Sequence, residues 1–456
     1  MEVTKVKSKT IIGNSHILKP GYHMNYGKKR IEKAIYNKFP FESLGNVSAS
    51  VFTGGIFKRV FVDDPEYGHP YISAQHMMNS NPLDVAKIIS KKYTPRQEEM
   101  SLKENQILVS CAGTIGNVRL ITKDLTGVIG SQDIIRVDPN NTKLSYGYLY
   151  AYLASKTAYN YMQSYIYGSV VPRIEPKTLS RLPIPILTAE KQQKIHQLIV
   201  EASELRVLAN SLLQEAIQIF EQELSYSEIN NGAQCGKISS KELMDFHKRL
   251  DSQYQLIWKR IKKEYNSNIQ FDKIRNIASS IFVGGRGKRN YVENGIPFLS
   301  SSDMMLFNPI RLSKKISPST NGVEQMKVSK KDILISRSGT VGNTVIVGDD
   351  LSNVAISEHA LRLIINSDKI SPNYVFAFLK TNMGLKAIEA SAFGSVIITL
   401  NEDLIGNIDL PILTEELQKL ISDKVEEYIF LSNKSVMKEN QAIALIEKEI
   451  DLWQVS

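Results

Sequence analysis

The most regular hydrophobic pattern in the chain predicts a long amphipathic helix over Thr188–Leu224, with Thr188 as its N-cap. No proline or glycine interrupts this stretch, and its apolar positions alternate between intervals of three and four residues, as in a coiled coil. Leucine-like residues occupy the d positions of this predicted seam and mostly alanine occupies the a positions. The seam consists of Ile195, Leu198, Ala202, Leu205, Ala209, Leu212, Ala216 and Ile219.

A second stretch, Glu415–Trp453, repeats the pattern less regularly, because Lys424 and Lys438 stand where the first seam has leucines. Its corresponding face consists of Ile421, Tyr428, Leu431, Ser435, Ala442 and Leu445. Small residues on both faces would let the two helices approach closely, so we expect an antiparallel pair. The alternative is that each helix packs separately on its own globular domain.

The rest of the pattern predicts two domains with the same order of elements. Each begins with a polar helical lead-in, Tyr22–Asn37 or Asp245–Tyr265, and later contains a helical block, Tyr146–Gln163 or Pro372–Ala390. Short segments that are rich in β-branched residues and bounded by Gly, Asn and Asp predict strands. These segments are Ile107–Ser110, Val118–Thr122, Ile134–Val137, Ile333–Ser336, Thr344–Val347 and Leu361–Ile365. The polar stretch Tyr226–Lys241 predicts a linker.

The two halves also repeat in sequence. Residues 107–117 read ILVSCAGTIGN, and residues 333–343, 226 positions later, read ILISRSGTVGN. The same shift carries Gly168-Ser169-Val170 onto Gly394-Ser395-Val396. This period is too long for a solenoid, whose repeats run to about 20–50 residues, and it has the size of a domain. Two like domains indicate a molecule that recognises two like targets at once.

Composition narrows the class of protein. A chain of 456 residues with 42% hydrophobic content has room for two or three globular domains, and its net charge of +9 moderately favours a polyanionic partner. Cys111 and Cys235 lack CxxC spacing, so we expect a reducing, cytoplasmic setting without a disulfide scaffold or a structural zinc site. The sequence shows no signal peptide and no run of about 18 apolar residues, so no membrane span is expected.

The sequence offers little catalytic chemistry. It contains no P-loop, no GxGxxG after a strand, no GxSxG elbow and no HExxH motif. Asn81-Pro82-Leu83 and Asn308-Pro309-Ile310 resemble the adenine methyltransferase motif only superficially, and we interpret them as turns. The histidines do not cluster. We therefore expect no catalytic residue and no metal ligand in this chain.

Binding chemistry is better represented. Gly54-Gly55 leads into Lys58 and Arg59, and Gly284-Gly285 leads into a second cationic run composed of Arg286, Lys288 and Arg289. Glycines permit tight turns or close approach to a phosphate, and the cations would neutralise it. Arginine can also read a guanine edge with two hydrogen bonds. The alternative is an ordinary solvated hairpin, but the recurrence in both repeats favours DNA contacts.

Other candidates for DNA contact differ between the repeats. Gln75 and His76 occupy the place of Ser302 and its neighbours, Arg337 replaces Cys111, and Arg173 occurs only in the first repeat. Different side chains on one frame would suit two different half-sites, although they equally fit ordinary loop drift. The glycines of residues 110–117 and 336–343 are interpreted as hairpin turns with positive φ, not as ligands.

Together these motifs resemble the specificity (S) subunit of Type I restriction-modification systems. The resemblance spans about residues 20–450 and rests on the duplicated SxxGT[IV]GN block, the duplicated Gly-Ser turn, the proline-bearing entry to each long helix, and Arg249-Leu250-Asp251. The chain departs from the pattern in its first repeat, which has His23-Met24-Asn25-Tyr26 in place of the Arg-Leu-Asp entry.

The resemblance implies an α+β protein with two homologous mixed α/β target-recognition domains, separated by a pair of long antiparallel coiled-coil helices in a pseudo-two-fold internal repeat. The implied boundaries are 1–187 for the first domain, 188–225 for the central helix, 226–244 for a linker, 245–413 for the second domain and 414–456 for the C-terminal helix. A helix of roughly 37 residues is about 55 Å long, enough to hold two reading heads about one to one-and-a-half DNA turns apart.

The implied function is non-catalytic recognition of a bipartite, gapped site in double-stranded DNA. The implied partners are two adenine methyltransferase (M) subunits, which bind S-adenosylmethionine, and restriction (R) subunits, which use ATP and Mg²⁺; no cofactor is expected on this chain itself. Two alternatives stay open. One is a specificity subunit of a related Type II-like modification system, and the other is a coiled-coil interaction protein that does not read DNA.

Overall fold

A computed structural model describes residues 18–168, 172–224, 237–245, 251–263, 269–338, 341–366, 370–394 and 398–455, with the single residues 6, 8, 11, 170, 249, 368 and 396. The chain forms two compact units. Unit 1 comprises residues 1–207 and 434–456, and unit 2 comprises residues 208–433. Most of the predicted linker Tyr226–Lys241, and Leu250, Gly339 and Thr340 of the repeated motifs, lie outside the described residues.

Within its described residues, unit 1 contains one four-stranded, one three-stranded and one two-stranded sheet. Their strands are β1 (Phe41–Ser43), β2 (Ser48–Thr53), β3 (Gly68–Ile72), β4 (Lys87–Ser90), β5 (Ile107–Ser110), β6 (Val118–Leu120), β7 (Ile129–Gly130), β8 (Ile134–Pro139) and β9 (Pro183–Pro185). The four-stranded sheet has the antiparallel order β2-β8-β5-β6. The three-stranded sheet has the order β4-β3-β7, with β3 and β7 parallel, and β1 pairs with β9.

Unit 2 repeats this arrangement with one extra strand. Its strands are β10 (Gln270–Lys273), β11 (Ala278–Val283), β12 (Tyr291–Val292), β13 (Ile296–Leu299), β14 (Lys314–Ile316), β15 (Ile333–Ser336), β16 (Thr344–Ile346), β17 (Ala355–Ile356), β18 (Ala360–Ile365) and β19 (Asp409–Ile412). The sheet β11-β18-β15-β16 matches β2-β8-β5-β6, and β12-β14-β13-β17 matches β4-β3-β7 with β12 added. All six predicted strands are confirmed to within two residues at each end.

The helices follow the same order in both units. In unit 1 they begin with Pro20–His23, Tyr26–Tyr36, Leu44–Val47, Gln97–Met100, Tyr146–Leu153, Lys156–Ser164 and Pro176–Leu179. In unit 2 they include Ser240–Asp245, Ser252–Lys263, Ile274–Ile277, Val323–Met326, Pro372–Lys380, Asn382–Ser391 and Glu402–Gly406. Short 3₁₀ turns cover Pro65–Tyr67, His76–Met78, Pro82–Val85, Lys123–Leu125 and Asp303–Met305. The two long helices are Ala189–Leu224, the central long helix, and Glu415–Val455, the C-terminal long helix.

Each predicted helical block is divided into two helices, which corrects the continuous helices expected from the sequence. Ser155 starts the second helix of its block because its hydroxyl accepts a hydrogen bond from the backbone of Ala158 at 3.1 Å. Thr381 does the same for Gly384 at 3.0 Å. Hydroxyl side chains satisfy the unpaired N–H groups at helix starts, so they favour a new helix over continuation of the old one. The lead-in helix is also divided, at Met24 and Asn25.

The long helices pack as an antiparallel pair, as predicted. In unit 1, the early residue Lys191 of the central long helix pairs with Glu449 at 2.7 Å, and the later residue Glu201 pairs with Lys438 at 2.6 Å. In unit 2, Glu215 pairs with Lys424 at 2.5 Å. The two lysines that interrupt the apolar seam therefore have acidic partners on the facing helix.

The predicted seam is correct at its alanine positions and wrong at its leucine positions. The alanines Ala202, Ala209 and Ala216 are fully buried, but the leucines Leu198, Leu205 and Leu212 are only partly buried. The most buried large residues lie one position after the predicted d positions, at Ile199, Arg206, Leu213 and Phe220. The central long helix packs against both its partner helix and the domain beside it, so its buried face is rotated away from a simple two-helix seam.

A buried ion pair joins the two long helices in unit 1. The guanidinium of Arg206 lies 2.9 Å from the carboxylate of Glu439, and the Glu439 side chain is only 1% exposed. In the same part of unit 1, the Ser435 hydroxyl donates to the Ala202 carbonyl at 2.6 Å. A buried polar pair of this kind can fix the register of two paired helices.

Two repeated hydrogen bonds attach each long helix to its domain. The side-chain amides of Gln192 and Gln418 donate to the carbonyls of Leu187 and Leu413, each at 2.7 Å. The hydroxyls of two buried tyrosines, Tyr148 and Tyr374, donate to the carbonyls of Pro185 on β9 and Pro411 on β19, at 2.7 and 2.8 Å. Each of these strands leads into a long helix. The repeated proline segment and acidic-glutamine helix start therefore serve a structural purpose in both units.

The predicted fold class is confirmed: each unit is a mixed α/β domain completed by parts of both long helices. Within the described residues, no helix is both long enough and apolar enough to cross a membrane.

Candidate nucleic-acid interface

The two cationic glycine loops occupy equivalent places, residues 54–60 after β2 and residues 284–290 after β11. In each loop the first glycine is buried. Of the cations that follow, Arg289 is half-buried and the others are exposed: Lys58, Arg59, Arg286 and Lys288. Gly54 and Gly284 do not adopt positive φ, so tight turning is not the reason for glycine at these positions. The loops nevertheless present positive charge to solvent, as the sequence predicts.

The last arginine of each loop lies against an aromatic residue of the neighbouring sheet. Arg59 donates to the hydroxyl of Tyr71 on β3 at 3.2 Å. The guanidinium of Arg289 lies 4.9 Å from the ring centre of Phe298, on the equivalent strand β13. Arg289 also donates to Glu358 at 2.5 Å. The structure thus places one predicted contact residue of each repeat beside the strand that leads into residues 73–76 or 300–303.

Backbone hydrogen bonds join the loops of unit 1 that carry the other predicted contacts. Ser131 donates to the carbonyl of Ile72 at 3.0 Å, immediately before residues 73–76. Cys111 donates to the carbonyl of Asp133 at 3.0 Å and accepts from Ile174 at 3.1 Å. Residues 73–76, 111–117, 131–133 and the described residues of 167–174 (all but 169 and 171) therefore meet at one edge of the domain. We call these segments the reading edge of unit 1.

Unit 2 has the same reading edge, made of residues 300–303, 337–343, 357–359 and 393–400 without the residues that the structure does not describe. Ser357 donates to the carbonyl of Leu299 at 3.0 Å. Arg337 donates to the carbonyl of His359 at 2.8 Å and accepts from Leu400 at 3.0 Å. Sequence comparison alone aligned these segments in order, whereas the structure brings them together in space.

The predicted base-reading residues differ in exposure. Gln75 and Ser302 are exposed, and the Ser302 hydroxyl lies 2.9 Å from that of Ser300. His76 is half-buried, and burial together with the nearby charge of Lys87 lowers the pKa of its imidazole. A neutral imidazole suits hydrogen bonding to a base edge better than pairing with a phosphate.

The other two candidate arginines are tied to the protein. Arg173 lies 3.3 Å from the carboxylate of Asp133, with its side chain 43% exposed. The Nε of Arg337 donates to the carbonyl of Leu400 at 3.0 Å. Arg173 keeps a surface from which it could contact DNA, whereas this bond holds the Arg337 guanidinium against its own domain.

Residues 132–133 and 358–359 lie in the middle of the reading edges and were not among the predicted contacts. The 226-residue shift carries Gln132-Asp133 onto Glu358-His359, in a loop that begins with a buried serine in both units. Burial acts to raise the pKa of Glu358, but backbone hydrogen bonding and Arg289 hold it below its usual value. The sequence does carry a signal for this loop: Ser131 and Ser357 are 226 positions apart, and different polar residues follow them.

The entry motifs of the two units serve the same structural purpose. Asp251 accepts from the backbone of Tyr254 at 3.0 Å, and Asn25, 226 positions earlier, accepts from Lys28 at 2.8 Å. Arg249 donates to the carbonyls of Ser391 and Ala392, at 3.1 and 2.8 Å. The first repeat therefore lacks the Arg-Leu-Asp sequence but keeps the helix cap, with Asn25 in place of Asp251.

The hairpin glycines behave as predicted where they are described. Gly113, Gly116 and Gly342 have φ of 72°, 88° and 100°, and the turn glycines Gly168 and Gly394 have φ of 85° and 110°. These values lie in the region that glycine adopts without steric cost. Among the described residues, no group of three or more histidine, cysteine, aspartate or glutamate side chains could hold a metal ion.

Comparisons with known proteins agree on one family. A family model described as "Type I restriction modification DNA specificity domain" matches residues 38–204 and 286–445. A curated relative from Methanocaldococcus jannaschii, the Type I restriction enzyme MjaVIII specificity subunit, is 20% identical over 380 residues and covers 80% of this chain and 81% of its own length.

Solved structures of S subunits are also similar to the chain. The Type I restriction-modification S subunit from M. genitalium matches with 15% identity and a TM-score of 0.34, covering 91% of this chain and 96% of its own. The HsdS subunit from Thermoanaerobacter tengcongensis matches with 15% identity and a TM-score of 0.28, covering 90% and 96%.

Proposed function

The chain belongs to the family of Type I restriction-modification DNA specificity proteins, and from this premise we propose that it reads a two-part, gapped DNA site, one half with each unit. Under this proposal each reading edge enters the major groove at its half-site. The chain supplies sequence recognition, and its partner subunits supply the chemistry.

The observation that carries the proposal is the duplicated reading edge. In each unit, equivalent backbone hydrogen bonds join equivalent loops, yet the side chains at their centre differ: Gln132 and Asp133 in unit 1, Glu358 and His359 in unit 2. A conserved frame with different polar side chains is what two unequal half-sites require, because each base pair presents a different pattern of donors and acceptors in the major groove.

The charge of the neighbouring loops supports DNA as the partner. Exposed cations next to each reading edge, such as Lys58 and Lys288, would contact phosphates and position the edge over the bases. The proposed complex contains two methyltransferase subunits, each binding S-adenosylmethionine, and restriction subunits that use ATP and Mg²⁺. S-adenosylmethionine would supply the methyl group for adenine N6, and this chain would select the adenine.

Removing the cations of the second glycine loop should abolish recognition of one half-site. With Arg286, Lys288 and Arg289 all changed to alanine, we expect DNA affinity of the complex with its methyltransferase subunit to fall about tenfold to a thousandfold at moderate salt. The reason is the loss of up to about three phosphate or base contacts. Each lost phosphate contact should also reduce the slope of log affinity against log salt concentration by about 0.9. Mapping N6-methyladenine across the host genome provides the second readout.

The matched control removes two exposed cations, Lys103 and Lys123, at the end of the β5–β6 hairpin opposite the 111–117 turn. This variant should bind and methylate like the unchanged protein. Wild-type methylation of an asymmetric, gapped motif would support the proposal. Methylation of an ungapped motif would contradict it, and a wild-type complex without sequence preference would instead favour an interaction protein.

A further inference from the structure

A buried arginine lies beneath the reading edge of unit 1. Arg136, on β8, has no exposed surface. Its guanidinium donates to the carbonyls of Gly130 at 2.8 Å, Met100 at 3.2 Å and Ile134 at 3.3 Å, with a longer bond of 3.5 Å to Ser131. Two of these carbonyls belong to the β7 end and to the start of the loop that carries Gln132 and Asp133.

The same guanidinium also borders the cationic glycine loop. It lies 6.0 Å from the ring centre of Phe52, the second-last residue of β2. A Cβ atom added to Gly54 would approach Nη1 of Arg136 to 3.2 Å, which is tighter than most real contacts. A side chain at position 54 would therefore have to displace the Arg136 guanidinium by a few tenths of an ångström, because the loop backbone runs directly over the buried arginine. One side chain thus touches both the glycine loop and the loop 131–133.

Unit 2 has a buried arginine at the equivalent position, Arg362 on β18, which is 4% exposed. Arg362 donates to the carbonyls of Met326 and Lys327, and it lies 5.4 Å from the ring centre of Phe282. A Cβ atom on Gly284 would lie 3.6 Å from its Nη2. The phenylalanine, glycine and methionine partners recur at equivalent positions. The described bonds of Arg362 reach the reading edge of unit 2 indirectly, because Lys327 forms a β-bridge with Ala355 on β17, the strand that leads into residues 357–359.

Burial of these arginines is costly. Burial lowers the pKa of Arg136 to about 10 and also lowers the pKa of Arg362. An apolar side chain of similar volume would avoid this desolvation cost and would often stabilise a protein core at least as well. A buried cation at the equivalent position of both units, bonded to backbone carbonyls beside the glycine loop, therefore points to a requirement for precise local geometry.

We propose that Arg136 and Arg362 are positioning residues that hold each cationic glycine loop in fixed relation to its reading edge, each arginine acting on its own half-site. This inference rests on the proposed function. Neither arginine contacts DNA itself; each sets where the residues that contact it lie. A misplaced edge would still carry charge but would discriminate bases poorly.

The test uses the complex of the full chain with its methyltransferase subunit and the variants Arg136→Lys and Arg362→Lys. Lysine keeps the charge, but one ammonium group cannot reach all the carbonyls that the planar guanidinium joins. Binding is measured on duplexes with the cognate site, with one base pair changed in the first half-site, and with one changed in the second. Wild-type complex should reject each changed duplex by about fivefold to a hundredfold.

Arg136→Lys should reduce this discrimination to about twofold or less at one half-site and leave the other unchanged, and Arg362→Lys should give the reciprocal result. Each variant is thus the other's control. A merely structural role would lower the yield or the thermal stability of the complex without this selective effect. Unchanged discrimination in both variants, or an equal loss at both half-sites, would overturn the inference.

A second variant tests the same contact if Arg136→Lys does not fold. Gly54→Ala introduces a Cβ against Arg136 without removing any charge, whereas Gly21→Ala, on the first helix of unit 1, places its Cβ where no other atom lies within 4 Å. We expect Gly54→Ala to weaken discrimination at the same half-site as Arg136→Lys and Gly21→Ala to leave it intact. Equal effects of the two alanines would overturn the inference. A wild-type complex without a gapped motif would overturn the proposed function as well.

Discussion

Replacing Glu439 with leucine is expected to lower the free energy of unfolding by about 3–5 kcal/mol, because it leaves the charge of Arg206 in the helix seam without its carboxylate. The two side chains are 1% and 9% exposed and lie 2.9 Å apart. Water cannot readily solvate an arginine at this depth. Urea denaturation of the wild-type and variant chains, followed by circular dichroism, measures the difference.

The control replaces both members of the pair. The 226-residue shift places Ser432 and Leu213 of unit 2 at the positions of Arg206 and Glu439. The double variant Arg206→Ser with Glu439→Leu therefore copies residues that the fold already accepts, and it should recover most of the lost stability. A double variant no more stable than Glu439→Leu alone would show that the cost comes from packing and not from the loss of the carboxylate beside Arg206.

Replacing Phe220 with alanine is expected to cost about 3–5 kcal/mol, because it leaves a cavity in the core of unit 2. Phe220 is fully buried on the central long helix, and its ring lies 4.7 Å from that of Tyr374 and 5.9 Å from that of Phe378. These aromatic neighbours belong to the helix Pro372–Lys380, which is held to β19 by the hydrogen bond from Tyr374 to Pro411, so they can collapse into the space only partly. Calorimetry and urea denaturation both measure this loss.

Leu208→Ala provides the comparison on the same helix. Leu208 is 50% exposed, so its truncation removes less buried surface and should cost less than about 1 kcal/mol. Similar losses for the two variants would contradict the conclusion that the helix attaches to the domain through the stripe that includes Phe220.

The ion pair also bears on how the two helices find their alignment. Alanines recur every seven residues on the central long helix, at Ala202, Ala209 and Ala216. A seam of such small residues tolerates sliding of one helix past the other by one heptad. A single buried pair such as Arg206–Glu439 penalises such shifts, since each would bury two separated charges. The equivalent residues of unit 2, Ser432 and Leu213, cannot form such a pair. The ion pair that fixes the helix register therefore occurs in unit 1 and not at the same place in unit 2.

The repeat and the elements within it were predictable because they depend on local spacing. Alternating intervals of three and four residues predicted the long helices, and β-branched runs between Gly, Asn and Asp predicted the strands, to within two residues. The fold class followed from the duplicated motifs and their resemblance to a family. The divided helical blocks were missed because a single hydroxyl, at Ser155 or Thr381, competes successfully with an otherwise continuous helical pattern.

The sequence by itself determined which segments are equivalent, where the long helices lie and where exposed positive charge accumulates, because each of these depends on residues close together in the chain. Only the tertiary structure decided which loops meet at a reading edge, which face of each long helix is buried, and why Gly54 is a glycine. Those answers depend on residues far apart in the chain, such as Arg136 beneath residues 54 and 130, and on burial, which a linear pattern does not encode.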